Sequence, residues 1–347
     1  MLVKNGTAFI GGRFARADVR VENGKIAQIG DLQPREGEDV RSAAGLYVLP
    51  GLVDIHIHGS KGSDFCDAGA EHIETMSAYL GGEGVTAFCG TTMAFDEPIL
   101  TNIFNIAKPY INKENGGAVL RGINMEGPFI SEKKKGAQNA AYLREPDFEA
   151  FSKLFAAGNG IVRIVDVAPE LPGAAEFVRK ASKQCTVSIA HTDASYDDAV
   201  CAIEAGVTHL THLYNAMPGI HHRKPGVIPA AVENEQVSAE LISDGQHVHP
   251  ASVRLAFRMF GPARMVLISD SLRCCGMPDG EYELGGQPVF LQGGVARLSD
   301  GTIAGSATNV YDCMLRAISF GIPREDAVRA ATYNPARQCV GDAMYEQ

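Results

Sequence analysis

The sequence predicts an α/β protein: a (β/α)8 TIM-like barrel with a small N-terminal β domain. Three observations carry that reading. From residue 52 onward, short β-branched runs alternate with helical stretches, the pattern of a parallel sheet with helical crossovers. The runs number eight, which selects a closed barrel over an open doubly wound sheet. The first fifty residues lack this alternation and carry hairpin signals instead.

In that first part, Val19–Val21 and Ile26–Ile29 flank Asn23-Gly24, a dipeptide suited to a two-residue turn. A strand at Leu46–Leu49 runs into the turn signal Pro50-Gly51, which bounds a small β module at 1–51. Barrel strands are expected at Leu52–His58, Val85–Thr91, Val119–Glu126, Ile161–Val167, Thr186–His191, Val207–His212, Val237–Ser243 and Met265–Asp270. Helical patterns lie between them, at Ala70–Leu80, Ile99–Ile111, Asp147–Phe155, Ala174–Ser182, Tyr196–Glu204 and Pro250–Phe260. After strand eight, Gly276–Gly305 is Gly-rich and reads as a hairpin insertion. Helices at Asn309–Phe320 and Arg324–Thr332 complete a barrel domain taken as 52–347.

The 347 residues would fill two domains of about 150, although single barrels run to about 250. Hydrophobic content of 45% with 21% charged residues excludes a disordered chain. A net charge of −10 argues against nucleic-acid or anionic-membrane partners, while leaving room for a local basic pocket. No run approaches about 18 apolar residues, and Met1–Arg20 does not read as a signal peptide, so a cytoplasmic protein is expected. The eight cysteines form no C-x-x-C pair and read as reduced, mostly buried thiols. For Cys274–Cys275, core packing is preferred to oxidation sensitivity.

Polar, metal-capable residues gather at the strand ends. His56 and His58 end strand one, Glu126 strand three, His191 strand five, His212 strand six and Asp270 strand eight, with His247 just after strand seven. In a barrel, the carboxyl ends of all strands meet at one mouth, so residues more than two hundred positions apart converge there. Each has a plainer reading. The H-x-H of His56 and His58 is a weak signal alone, although its period of two places Asp54, His56 and His58 on one face and Ile55 and Ile57 on the other. Glu126 alone could be a salt bridge or a helix cap, and His191 or His212 a hydrogen-bonded core histidine. Four histidines and two carboxylates on one rim favour a metal site instead. Asp270, beside such a site, suits a proton acceptor for a bound water. His72 and His209 read as ordinary residues, and His249 is left unassigned.

No phosphate-binding G-x-x-x-x-G-K-[ST], no G-x-G-x-x-G and no G-x-S-x-G is present, and no lysine ends strand four. Ile220-His221-His222-Arg223-Lys224-Pro225-Gly226 is a basic stretch in an acidic protein. A solvated charge run explains it blandly. The reading adopted is an anion clamp in which Arg223 offers fork-like hydrogen bonds to a phosphate.

Pro50-Gly51-Leu52-Val53-Asp54-Ile55-His56-Ile57-His58-Gly59 resembles the strand-one signature of the amidohydrolase superfamily. Glu126-Gly127-Pro128-Phe129, Thr211-His212-Leu213-Tyr214-Asn215-Ala216-Met217 and Gly276-Met277-Pro278-Asp279-Gly280 resemble its N-acetylglucosamine-6-phosphate deacetylase family, over about residues 1 to 340. The resemblance implies metal ligands at Glu126, His191 and His212, with His56 and His58 holding a second ion, and a catalytic acid/base at Asp270. It implies substrate contacts at Asn215, the Ala216 backbone, Arg223 and His247, and a sugar lining at Ala137 and Ile303, Ala304 and Gly305. One or two divalent ions are expected, Zn²⁺ first, with Fe²⁺, Mn²⁺ or Co²⁺ as alternatives. The resemblance also implies a phosphorylated N-acetyl amino sugar as substrate and a homodimer as assembly, with Arg223 acting either within its own chain or across the interface.

The implied reaction is hydrolysis of the acetamide of N-acetyl-D-glucosamine 6-phosphate. An N-acetylgalactosamine 6-phosphate deacetylase and a non-catalytic scaffold on the same barrel are the alternatives. Two departures from the resemblance are expected to matter. Gln138 occupies a position where some relatives carry histidine; it can donate a hydrogen bond but cannot carry a proton. Relatives usually continue with a C-terminal β segment that returns to the small module, so that module is expected to be weakly held with an exposed edge, unless a partner chain covers it.

Overall fold

Eight strands form one parallel sheet in chain order: Leu52–Ile57, Val85–Thr92, Val119–Met125, Val162–Val167, Thr186–Ile189, His209–Leu210, Ser238–Ile242 and Met265–Ile268. The computed structural model describes residues 1–339. The first and last strands meet where Asp270 N–H donates to the His56 carbonyl and His58 N–H to the Ser271 carbonyl, each at 2.9 Å. The sheet is thus the expected barrel. The stretch 340–347, which the sequence reading assigns to the barrel domain, lies outside the described residues.

Two layers of apolar side chains hold the barrel. The larger fills the space between strands and helices, with Leu100, Phe104, Phe151, Phe177 and Val253 all buried. Each such side chain contributes roughly 1.5–3 kcal/mol by leaving water. The second lies inside the barrel: Val53, Ile55, Ala87, Cys89, Ile164, Ile242, Val266 and Ile268 pack with Ala336 and Cys339 of the helix Tyr333–Cys339. That helix was not anticipated from the sequence.

The regular alternation expected along strand one does not hold. Ile55 joins the inner cluster while Ile57 joins the outer one, so the two isoleucines do not share a face. The ladder to the next strand shifts register between Asp54 and Ile57, and such an irregularity re-aims the side chains that follow it. The insertion after strand eight is also more than a hairpin. It is a four-stranded antiparallel meander, Gly280–Leu284, Gln287–Gln292, Val295–Leu298 and Ile303–Ser306. A helix at Val227–Glu233 also escaped the sequence reading; Pro229 falls in its first turn, where proline costs no hydrogen bond.

The N-terminal residues form a separate five-stranded sheet. Leu2–Ile10 pairs antiparallel with Arg13–Glu22 and parallel with Val40–Ser42 and Tyr47–Val48. Asn23 (φ 52°) and Gly24 (φ 74°) make the turn into Lys25–Gly30, as the dipeptide predicts. Lys4 pairs with Asp18 at 3.0 Å and Arg20 with Glu38 at 2.7 Å. Ile26 and Ile29 on the edge strand are exposed.

Candidate active site

The residues expected at the mouth meet there. Glu126 directly follows strand three, and its Oε1 lies 3.0 Å from His191 Nε2, 3.2 Å from His212 Nε2 and 3.4 Å from His56 Nε2. Its Oε2 lies 3.3 Å from His58 Nε2. Asp270 Oδ1 is 3.5 Å from His58 Nε2 and 3.6 Å from His56 Nε2. Two overlapping triads result, His56–His58–Glu126 and Glu126–His191–His212, each with its ligand atoms within 4.8 Å of one another.

Backbone geometry aims these groups. His191 (φ 42°), His212 (φ 29°) and Asp270 (φ 49°) all sit in the left-handed region as the chain leaves its strand. Such conformations cost of order 1–3 kcal/mol each and persist where surrounding structure enforces them. Here the Lys134 carbonyl accepts a hydrogen bond from His191 Nδ1 at 2.8 Å, and the Asp270 carbonyl accepts from Ser306 N–H at 2.8 Å. Gly305 (φ 124°) lets the meander come this close: a Cβ there would lie 2.8 Å from Leu272 Cδ2 and 3.1 Å from the Asp270 carbonyl.

The field in the cluster favours a cation. Burial opposes a charge on His58, yet Asp270 and Glu126 outweigh it and raise its pKa to about 10. Burial would likewise raise the Glu126 carboxyl, but His191, His212 and His56 hold it well below the usual range. Asp270 is lowered too, with His58 and His56 overcoming the cost of burial. His56 Nε2 is buried without a hydrogen-bond partner, and His191 Nε2 and His212 Nε2 stand 3.1 Å apart. Imidazole nitrogens and a shared carboxylate crowded in this way fit a divalent transition metal.

A cavity of about 450 Å³ opens above the cluster. Of the residues expected in the site, His58, Glu126, His191, His212, Asn215, Ala216, His247, Asp270, Ala137, Ile303, Ala304 and Gly305 line it. His56 is fully buried beneath. His247 is held at 2.7 Å by Asp244, which raises its pKa against the effect of burial. Arg223 is not brought in. It is exposed, outside the cavity lining, with its guanidinium 2.7 Å from His222 Nε2. A larger surface cleft, about 1030 Å³ around Phe95 and Phe177, has its Arg144 and Lys180 paired with Asp96 and Glu176 and is lined by no histidine.

Several site residues escaped the sequence reading. Lys133 and Lys134 line the cavity; the signal was the lysine run shortly after Glu126. Glu240 is completely buried in strand seven and takes hydrogen bonds from His56 Nδ1 (2.9 Å), the His212 amide (3.1 Å) and His209 Nε2 (3.2 Å). A glutamate inside an otherwise apolar strand was the available clue. His72 and His249 stay outside the cavity lining, His249 as the N-cap of Pro250–Phe260.

A (β/α)8 barrel with histidines and carboxylates converging at its mouth defines a metal-dependent hydrolase barrel. Residues 47–341 match the model of the amidohydrolase family, a metal-dependent family, and the chain belongs to it. It is 40% identical over 294 residues to an N-acetylglucosamine-6-phosphate deacetylase from Bacillus subtilis, covering 83% of this chain and 74% of that protein. An N-acetylgalactosamine-6-phosphate deacetylase from Escherichia coli O157:H7 is 32% identical, covering 94% and 86% respectively. Among solved structures, an N-acetyl-D-glucosamine-6-phosphate deacetylase mutant from Mycobacterium smegmatis, in complex with N-acetyl-D-glucosamine-6-phosphate, superposes with a TM-score of 0.92. That pair is 32% identical over 98% of this chain and 90% of the other. Among the described residues, no helix is long and apolar enough to cross a membrane.

Proposed function

We propose that the chain hydrolyses the acetamide of N-acetyl-D-glucosamine 6-phosphate to D-glucosamine 6-phosphate and acetate. The observation that carries the reading is the likeness to deacetylases of this substrate, 40% identical in the Bacillus subtilis protein. The assembled cluster of His56, His58, Glu126, His191, His212 and Asp270 supports it over a scaffold.

Glu126, His191 and His212 would hold one ion, and His56 and His58 with Glu126 a second, Zn²⁺ first among the candidates. Such an ion supplies Lewis acidity, acidifying a water and polarising the acetamide carbonyl. Asp270, kept ionised by its histidine neighbours, takes the proton of the attacking water. It then passes that proton to the amine, which leaves neutral. His247, held by Asp244, donates toward the developing oxyanion. Asn215 and the Ala216 backbone hold the sugar phosphate, and Ala137 with Ile303–Gly305 bounds the sugar. Arg223, exposed and outside its own cavity, serves a neighbouring protomer of a homodimer and grips phosphate there. The boundary between small domain and barrel falls at Gly51. Eight free cysteines suit a reducing, cytoplasmic compartment.

A second reading, the N-acetylgalactosamine 6-phosphate epimer, is favoured by the Escherichia coli relative. Comparing kcat/KM on both phosphorylated epimers and on plain N-acetylglucosamine decides between them. Preference for N-acetylglucosamine 6-phosphate is expected. Preference for the galactosamine epimer replaces the first reading, and equal rates on the plain sugar overturn both.

A further inference from the structure

Glu240 lies one layer beneath the metal-capable cluster, fully buried and outside the lining of the site cavity. Its carboxylate is surrounded by donors. Oε2 lies 2.9 Å from His56 Nδ1 and 3.1 Å from the His212 amide, and Oε1 lies 3.2 Å from His209 Nε2. An ionised carboxylate can only accept hydrogen bonds. His56 must therefore carry its proton on Nδ1, leaving Nε2 to face Glu126 and Asp270. His209 must likewise donate through Nε2, so its Nδ1 accepts from Ser238 Oγ at 2.8 Å. Gln338 of the last helix donates to the same hydroxyl at 3.0 Å. A continuous hydrogen-bonded chain thus runs from the helix that closes the barrel floor to the metal-capable mouth.

We propose that Glu240 is a positioning residue that fixes the tautomer and ring orientation of His56 and ties it to the backbone of His212, so that both triads are held in one frame. The inference rests on the reading above, in which His56 and His212 hold an ion. Outer partners of this kind orient a ligand and raise its basicity, and their loss typically weakens metal binding about 10- to 100-fold. Glutamine at this position has a route to compensate. It can turn its carbonyl to His56 and the His212 amide and its NH₂ to His209, whose tautomer is free to reverse against Ser238. Leucine has none.

The experiment measures Zn²⁺ affinity by chelator competition for wild type, Glu240→Leu, Glu240→Gln and His56→Asn. Proton NMR of the Zn²⁺-loaded wild type is recorded beside it. Glu240→Leu is expected to bind about 10- to 100-fold more weakly than wild type, with Glu240→Gln within a few fold of it. The loaded wild type is expected to show a slowly exchanging downfield Nδ1 proton that disappears in His56→Asn. Wild-type affinity in folded Glu240→Leu, with His56→Asn impaired, overturns the role of Glu240 alone. Unchanged binding in His56→Asn, or no binding by wild type, overturns the metal reading instead. Should Glu240→Leu fail to fold, the wild-type proton decides, and its absence contradicts the proposal.

Discussion

Gln138 donates its amide N–H to Glu126 Oε2 at 2.6 Å, while its carbonyl accepts from the Ala94 backbone at 2.8 Å. The Ala94 contact fixes which end of the amide faces Glu126, so the buried glutamine leaves Oε1 toward His191 and His212. Gln138→Ala frees the carboxylate to rotate and leaves the Ala94 donor unpaired. Metal affinity should fall about 10- to 100-fold, measured by chelator competition.

Asp270 lies 3.6 Å from His56 and 3.5 Å from His58 and belongs to neither metal-capable triad. Asp270→Asn keeps the shape and removes the base. Turnover should fall about 10²- to 10⁴-fold or below detection, while metal content by elemental analysis stays at the wild-type level. Loss of metal would make Asp270 a ligand rather than a base.

Arg223 is exposed. Arg223→Ala should raise KM for the phosphorylated sugar by roughly 10- to 100-fold, the value of about 1.5–3 kcal/mol for a charged hydrogen bond. KM for the plain sugar should not change. An equal effect on both sugars would remove the phosphate role.

The small domain should be acid-sensitive. Backbone amides of Asn5 and Leu32 with Lys4 hold the Asp18 carboxyl at about 2, and Arg20 with the Arg35 amide holds Glu38 at about 2. Both lie below their unfolded values, so their stabilisation is complete above about pH 4.5 and is lost as pH falls toward 2. Hydrogen exchange across residues 3–30, corrected for intrinsic rate, should accelerate over that window more than exchange in the barrel strands. Glu38→Gln should flatten part of the dependence.

The barrel was legible because its strands are apolar runs and its site residues sit at predictable strand ends. His56, Glu126 and Asp270 stand at strand ends that the sequence pattern alone marks. What the period of two could not reveal is the irregularity after Asp54, which parts Ile55 from Ile57. Leu2–Ile10 was missed because Lys4-Asn5-Gly6-Thr7 lacks a β-branched run, although its neighbours Arg13–Glu22 and Val40–Ser42 pair with it on both sides. Glu240 and Gln138 depend on tertiary contact, which no local pattern encodes. Left-handed φ at His191, His212 and Asp270 is likewise set by surroundings, since none of these is glycine.

The most direct test is acetate release from N-acetylglucosamine 6-phosphate by protein stripped with a chelator and then reloaded with Zn²⁺, Mn²⁺, Fe²⁺ or Co²⁺. Turnover lost on stripping and restored by at least one ion is the predicted result. Full turnover by stripped protein, or none by protein shown to have taken up metal, would contradict a metal-dependent deacetylase at this barrel mouth.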